Sequence, residues 1–102
     1  MVKWCSKLYM DEKIKKEPKK WKKRVEKEKL SYSLYCIAFS SNEKNLFDIM
    51  DCNELLFKYY KKREIFIVGL ASSKENAVEL VRIMIEDIYR ETGEFKVREY
   101  FT

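Results

Sequence analysis

Cys52 lies among four carboxylates, Glu43, Asp48, Asp51 and Glu54. Two carboxylates in different surroundings can divide general-acid and general-base work, and a thiol becomes a nucleophile once ionised. Ionisation needs an electropositive niche or a partner base. Here acids surround the thiol, and the chain contains no histidine. The same absence removes the commonest metal ligand. The three cysteines, Cys5, Cys36 and Cys52, are widely spaced and form no Cys-x-x-Cys pair. That spacing indicates neither a zinc site nor a dithiol redox centre, and Cys36, inside an apolar run, reads as a small buried hydrophobe. No catalytic residue, metal or cofactor is therefore expected, and the four acids read equally as the wet face of a short helix. An enzyme working without histidine is the weakest functional reading.

Anion binding is the next chemistry to consider. Ser72, Ser73 and Lys74 follow an apolar run and open the most regular helical pattern in the chain. The free N–H groups and dipole of a helix N-terminus favour an anion, and Lys74 would add charge. Neither GxGxxG nor GxxxxGK[ST] occurs, so an anion or phosphometabolite site here competes with a plain helix cap.

The strongest chemical signal is charge. Residues 1–30 hold 12 Lys/Arg against 5 Asp/Glu, a local net of +7, while the whole chain carries only +5. Lys19, Lys20, Lys22, Lys23, Arg24, Lys27 and Lys29 would line about three helical turns. Arrays of this kind bind phosphate backbones through counterion release, without base-specific contacts. Trp21, in their midst, is placed either to stack on an exposed base or to pack on the sheet. Lysines outnumber arginines 17 to 5, a bias that an AT-rich coding sequence also produces, so a solvated lysine-rich face is the competing account. A smaller group, Phe57, Tyr59 and Tyr60 followed by Lys61, Lys62 and Arg63, suits a protein interface or a helix end whose cations complement the dipole.

These residues need a scaffold, and the sequence outlines one. With 102 residues, 46% hydrophobic, 2 Gly and 1 Pro, the chain predicts one domain built mostly of regular elements with short connections. Val2, Trp4, Leu8 and Met10 fall on alternate positions, a ragged edge strand. Ile14, Trp21 and Val25 share one helical stripe, and Pro18 suits a first turn, which predicts a helix from Pro18 to Lys29 after a separate turn at 11–17. Residues 32–40 and 64–71 are apolar on both faces and read as buried central strands. Gly69 in the second implies close approach by a neighbour. Residues 44–62 read as one or two short helices. Ala77, Leu80, Val81, Met84, Ile85, Ile88 and Tyr89 recur at helical spacing, capped by Ser72 or Ser73 and closed by Gly93. Phe95, Val97 and Phe101 alternate with Lys96, Arg98 and Tyr100 as a final edge strand. The expected fold is a small α/β sandwich: a basic segment over 1–30, a βαβαβ core over 31–102, about three helices, and a sheet of three or four mostly parallel strands.

The stretch FIVGLASSKENAVELVRIMIEDIYRETGEFKVREYF resembles small uncharacterised bacterial proteins. These share a Y/F-x-V-G-x-A strand, an AxELV helix and a T-G-x-F-x-V-R tail. The resemblance implies a bacterial, cytoplasmic setting and carries no site residue with it. No stretch approaches the roughly 18 apolar residues of a membrane helix and no secretory signal is visible, so reduced thiols in the cytoplasm are expected, without a membrane partner. The expected function is a non-enzymatic accessory or binding module that contacts nucleic acid through its basic N-terminal helix. Exposed aromatics on the final strand, FKVREYFT, further suggest a homodimer formed at that edge.

Overall fold

In the computed structural model, residues 2–27, 34–40, 46–56 and 64–101 are described. In chain order the elements are β1 (Val2–Met10), α1 (Glu12–Lys16), α2 (Pro18–Glu26), β2 (Tyr35–Phe39), β3 (Phe47–Asp51), a 3-10 turn (Cys52–Leu56), β4 (Ile65–Ala71), α3 (Lys74–Thr92) and α4 (Val97–Phe101). The strands form one sheet in the order β1-β4-β2-β3. The two strands apolar on both faces, β2 and β4, take the centre, and the raggedly alternating β1 takes an edge.

Period two decides which face each side chain enters. Cys36, Ala38, Ile65, Ile67 and Leu70 pack in a lower layer with Ile14 of α1 and Val25 of α2. Ile37, Val68 and Ala71 pack in an upper layer with Ala77, Leu80, Met84 and Ile88 of α3 and Val97 and Phe101 of α4. Val2, Trp4, Leu8 and Met10 all lie against the lower layer, as their alternation requires. Helices thus cover both faces, and the α/β architecture holds.

β4 changes phase once. Ile37 pairs with Gly69 but Ala38 pairs with Ile67, so Val68 is an extra residue, a bulge that turns Val68 and Gly69 to the same side. A Cβ on Gly69 would stand 2.8 Å from Met84 Cε and 2.9 Å from Ile37 Cδ1. This is the close approach that a glycine within a strand implies.

Helix boundaries follow local chemistry. The residue before a proline avoids the helical region, and Glu17, at φ −144° and ψ 62°, separates α1 from α2, which starts on Pro18. In α3 the Ser73 side chain accepts from Asn76 N–H at 3.1 Å, and Gly93 takes the left-handed conformation at φ 73°. Its N–H donates to Tyr89 O at 2.7 Å.

Several expectations are corrected. The sheet is mixed: β1 and β4 are parallel, whereas β4–β2 and β2–β3 are antiparallel. The segment read as helical across 44–62 contains β3, whose pairing with β2 runs from Tyr35↔Asp51 to Phe39↔Phe47. Phe47 and Ile49 face the upper layer and Met50 the lower, a strand alternation hidden by the acids between them. The final segment is helix α4, because Val97 and Phe101, four residues apart, meet on one helical face and are both buried. Four α-helices are therefore present among the described residues, where about three were expected, and the described strands and α-helices after residue 31 run β-β-β-α-α.

Candidate nucleic-acid interface

α1 and α2 present a cationic surface over the lower layer. Asp11 caps α1 by accepting from Ile14 N–H at 3.0 Å. Ile14 is fully buried and Val25 nearly so, which anchors the two helices and turns their remaining positions outward. Lys19, Lys20, Lys23 and Lys27 are exposed, and Lys22 and Arg24 are half-buried. Lys29 lies outside the described residues.

Trp21 organises this surface. It packs partly against the lower layer, and three cations surround its ring: Lys20 Nζ at 5.0 Å, Lys13 Nζ at 5.8 Å and Arg24 Cζ at 5.9 Å from the centroid. Lys22 Nζ lies 5.7 Å over Trp4 of β1. Cations hold such positions because the ring quadrupole attracts them. Two pairs bring acids in, Lys20–Glu17 at 3.1 Å and Lys15–Glu12 at 3.8 Å, both exposed and weak. Lys13, Lys15 and Lys16 of α1 are also exposed and enlarge the patch beyond the segment singled out by sequence. Lys13 and Lys20, each one position before the stripe residues Ile14 and Trp21, were the available signal.

The second candidate, Ser72, Ser73 and Lys74, sits where the parallel strands β1 and β4 end side by side. Asp11 Oδ2 accepts from Ser72 N–H at 2.7 Å, from Ser72 Oγ at 2.7 Å and from Asn76 Nδ2 at 2.9 Å. The Ser72 donors are thus spent on a carboxylate of the chain itself, Ser73 serves as the α3 cap, and Lys74 is exposed. Burial pushes the Asp11 carboxyl up, but the hydrogen bonds from Ser72, Ile14 and Asn76 outweigh it and hold it below the ordinary carboxylate value. Beside it a cleft of about 600 Å³ between α1 and α3 mixes Lys13 and Lys16 with Asp11, Glu12 and Glu79. It offers no single sign of charge to a ligand.

The acids around Cys52 are not assembled into a site. Cys52 faces the lower layer and is buried together with Cys36. Its thiol is pushed well up by the hydrogen bond with Cys36, by burial, and by the Asp51 carboxylate. That is the reverse of what a nucleophile needs. Asp51 Oδ1 accepts from Asn53 N–H at 2.9 Å, closing the turn after β3. Asp48 and Glu54 are half-exposed, and Glu43 lies outside the described residues, as do Phe57, Tyr59, Tyr60, Lys61, Lys62 and Arg63. No group of three or more His, Cys, Asp or Glu among the described residues is arranged to hold a metal ion. No helix among them is long and apolar enough to cross a membrane.

No family model, curated protein or solved structure matches this chain.

Proposed function

We propose that this protein is a non-catalytic module that binds the phosphate backbone of a nucleic acid through the outer surface of α1 and α2. One observation carries the reading: nine cations between residues 13 and 27 are held outward by two helices whose apolar side chains, Ile14 and Val25, are buried. A surface of this kind attracts a polyanion from any direction and reads no sequence. Over residues 11–27 the four acids Asp11, Glu12, Glu17 and Glu26 leave these nine cations a positive surplus of five. The setting is cytoplasmic and bacterial, in keeping with three free thiols, Cys5, Cys36 and Cys52, all buried. A homodimer of this chain pairs through an outer strand of the sheet, β1 or β3, since α4 is packed in the upper layer.

Fluorescence anisotropy of labelled oligonucleotides tests the reading. Affinity falls linearly on a log–log plot against salt, with a slope near −0.7 to −0.9 per phosphate neutralised. The exposed triple variant Lys19→Glu, Lys23→Glu, Lys27→Glu abolishes binding without changing the melting temperature by more than a few degrees. Absence of binding at low salt refutes the reading.

A further inference from the structure

We infer that the α1–α2 surface selects single-stranded nucleic acid, with the Trp21 ring as the platform on which one unpaired base stacks. This rests on the proposed function and narrows it to a substrate class.

A lysine array alone does not distinguish a duplex from a single strand, because both offer phosphates. An aromatic face does distinguish them. In a duplex the base faces are stacked on one another and only base edges, sugar and phosphate meet the protein, so an indole at the centre of the contact finds no open face to stack on. In a single strand the bases are free to turn toward the protein, and stacking on an aromatic ring contributes without demanding a particular sequence.

The placement of Trp21 fits the second case. It is only half-buried and packs in part against the lower layer. Three side-chain cations, Lys20, Lys13 and Arg24, stand within 5.9 Å of the ring centre. Those cations are on long, rotatable stems. A base arriving at the ring displaces them outward, where they meet the phosphates on either side of that nucleotide. The cation–ring contacts of the free protein are thereby exchanged for a base–ring stack and cation–phosphate pairs, with no buried charge left behind. Arg24 adds a planar guanidinium that can itself stack on a neighbouring base. The ring and its three cations come from two helices, α1 and α2, which meet at the Glu17–Pro18 junction.

The experiment compares a 15-nucleotide oligo-dT with a 15-base-pair duplex at equal low salt, by anisotropy, on the full chain. Tryptophan emission is followed in a Trp4→Phe background so that Trp21 is the sole reporter. Expected are affinity for oligo-dT about tenfold or more above that for the duplex, and quenching of Trp21 emission on binding oligo-dT. Trp21→Leu, which keeps an apolar side chain on the lower layer, loses about tenfold in single-strand affinity and keeps the salt slope. Should that variant melt early, Trp21→Phe, which retains a smaller ring, shows an intermediate loss. Equal or better affinity for the duplex, or binding without quenching of Trp21, overturns the platform while leaving the cationic surface as the binding site. No binding of either oligonucleotide overturns both.

Discussion

Asp11 and Ser72, sixty-one residues apart, are joined by two hydrogen bonds of 2.7 Å, one from the serine N–H and one from its hydroxyl, both to Asp11 Oδ2. The pair closes the carboxyl ends of the parallel strands β1 and β4. It also ties α1, which Asp11 caps, to the first turn of α3 through Asn76. The layers on opposite faces of the sheet are thereby linked by one carboxylate. An open α/β sheet commonly leaves this position for a ligand; here a side chain fills it.

Replacing Asp11 by Ala removes a helix cap and leaves the Ser72 donors without their acceptor. The expected cost is about 2–3 kcal/mol. Because the folded Asp11 carboxyl lies below its ordinary value, its contribution is fully present above about pH 5. It is lost as pH falls through the lowered folded value. Urea melts of wild type and Asp11→Asn between pH 7 and 3 check this. The gap between the two proteins is largest at neutral pH and narrows in acid.

The long or strongly marked elements were legible from sequence, and the short ones were not. α3 could be read end to end because seven apolar positions keep one period between a serine cap and a glycine stop. β2 and β4 were legible as central strands because both their faces are apolar, and Pro18 marked the start of α2. β3 and α4 failed for one reason: five residues carry too few apolar positions to separate period 2 from period 3.6. In Val97–Phe101 the spacing of Val97, Tyr100 and Phe101 fits a helix as well as Val97 and Phe101 fit a ragged strand. Strand direction failed as a consequence, since turning a supposed helix into β3 converts a crossover into a hairpin. Of the candidate interface, the lysines were visible but their arrangement around Trp21 was not, because it needs α1 and α2 folded against each other. The Asp11–Ser72 link has no local signature at all.

Gly69→Ala places a methyl within 3 Å of Met84 Cε and Ile37 Cδ1. Both are terminal groups of flexible side chains, which limits the clash, yet both residues are fully buried and have little room to turn. A loss of about 1–2 kcal/mol is expected. In a Met84→Ala background, already weakened, the same substitution costs less, since the obstructing methyl is gone. A double-mutant cycle measures the coupling, and additive effects contradict the assigned contact.

Tyr9 donates its hydroxyl proton to Asp87 Oδ2 at 2.6 Å and lies 3.0 Å from the Tyr100 hydroxyl. Burial, then these two hydrogen bonds, push its ionisation well above the ordinary tyrosine value. A raised folded value means that the contribution is intact below about pH 10 and declines as pH rises beyond it. Tyr9→Phe loses about 1–2 kcal/mol at neutral pH. Its stability falls less steeply than that of wild type above about pH 10. Melting temperatures across pH 8–11 decide the point.

All three thiols are buried, Cys36 completely. Native protein at pH 8 therefore reacts slowly with a thiol reagent such as Ellman's, and three equivalents appear promptly only in denaturant. Cys52 is the telling position, since hydrogen bonding to Cys36 and burial both disfavour its thiolate. Fast labelling of Cys52 in the native protein, located by peptide mass mapping, would contradict its placement in the lower layer.

Within the upper layer Phe101 joins three of the four strands. Its ring meets Tyr9 of β1 at 5.8 Å, Phe39 of β2 at 6.1 Å and Phe47 of β3 at 6.1 Å, each edge to face. Its carbonyl accepts from Cys5 Sγ at 3.4 Å. A side chain in that position does not wait for a second copy of the chain to cover it; it is part of the fold. Phe101→Ala is expected to cost about 3–5 kcal/mol, a large share of the roughly 5–15 kcal/mol that holds a domain together. A chain truncated after Gly93 loses the whole of α4 and fails to give a cooperative melt. Phe95→Ala, by contrast, changes a side chain that is 53% exposed and meets the Tyr89 ring, tilted, at 5.3 Å, so its cost stays under about 1 kcal/mol. If the tail were instead an edge strand used for pairing between copies, Phe95 and Phe101 substitutions would alter sedimentation more than the melting of dilute protein. Thermal melts at two concentrations, with sedimentation of the same samples, separate the two cases.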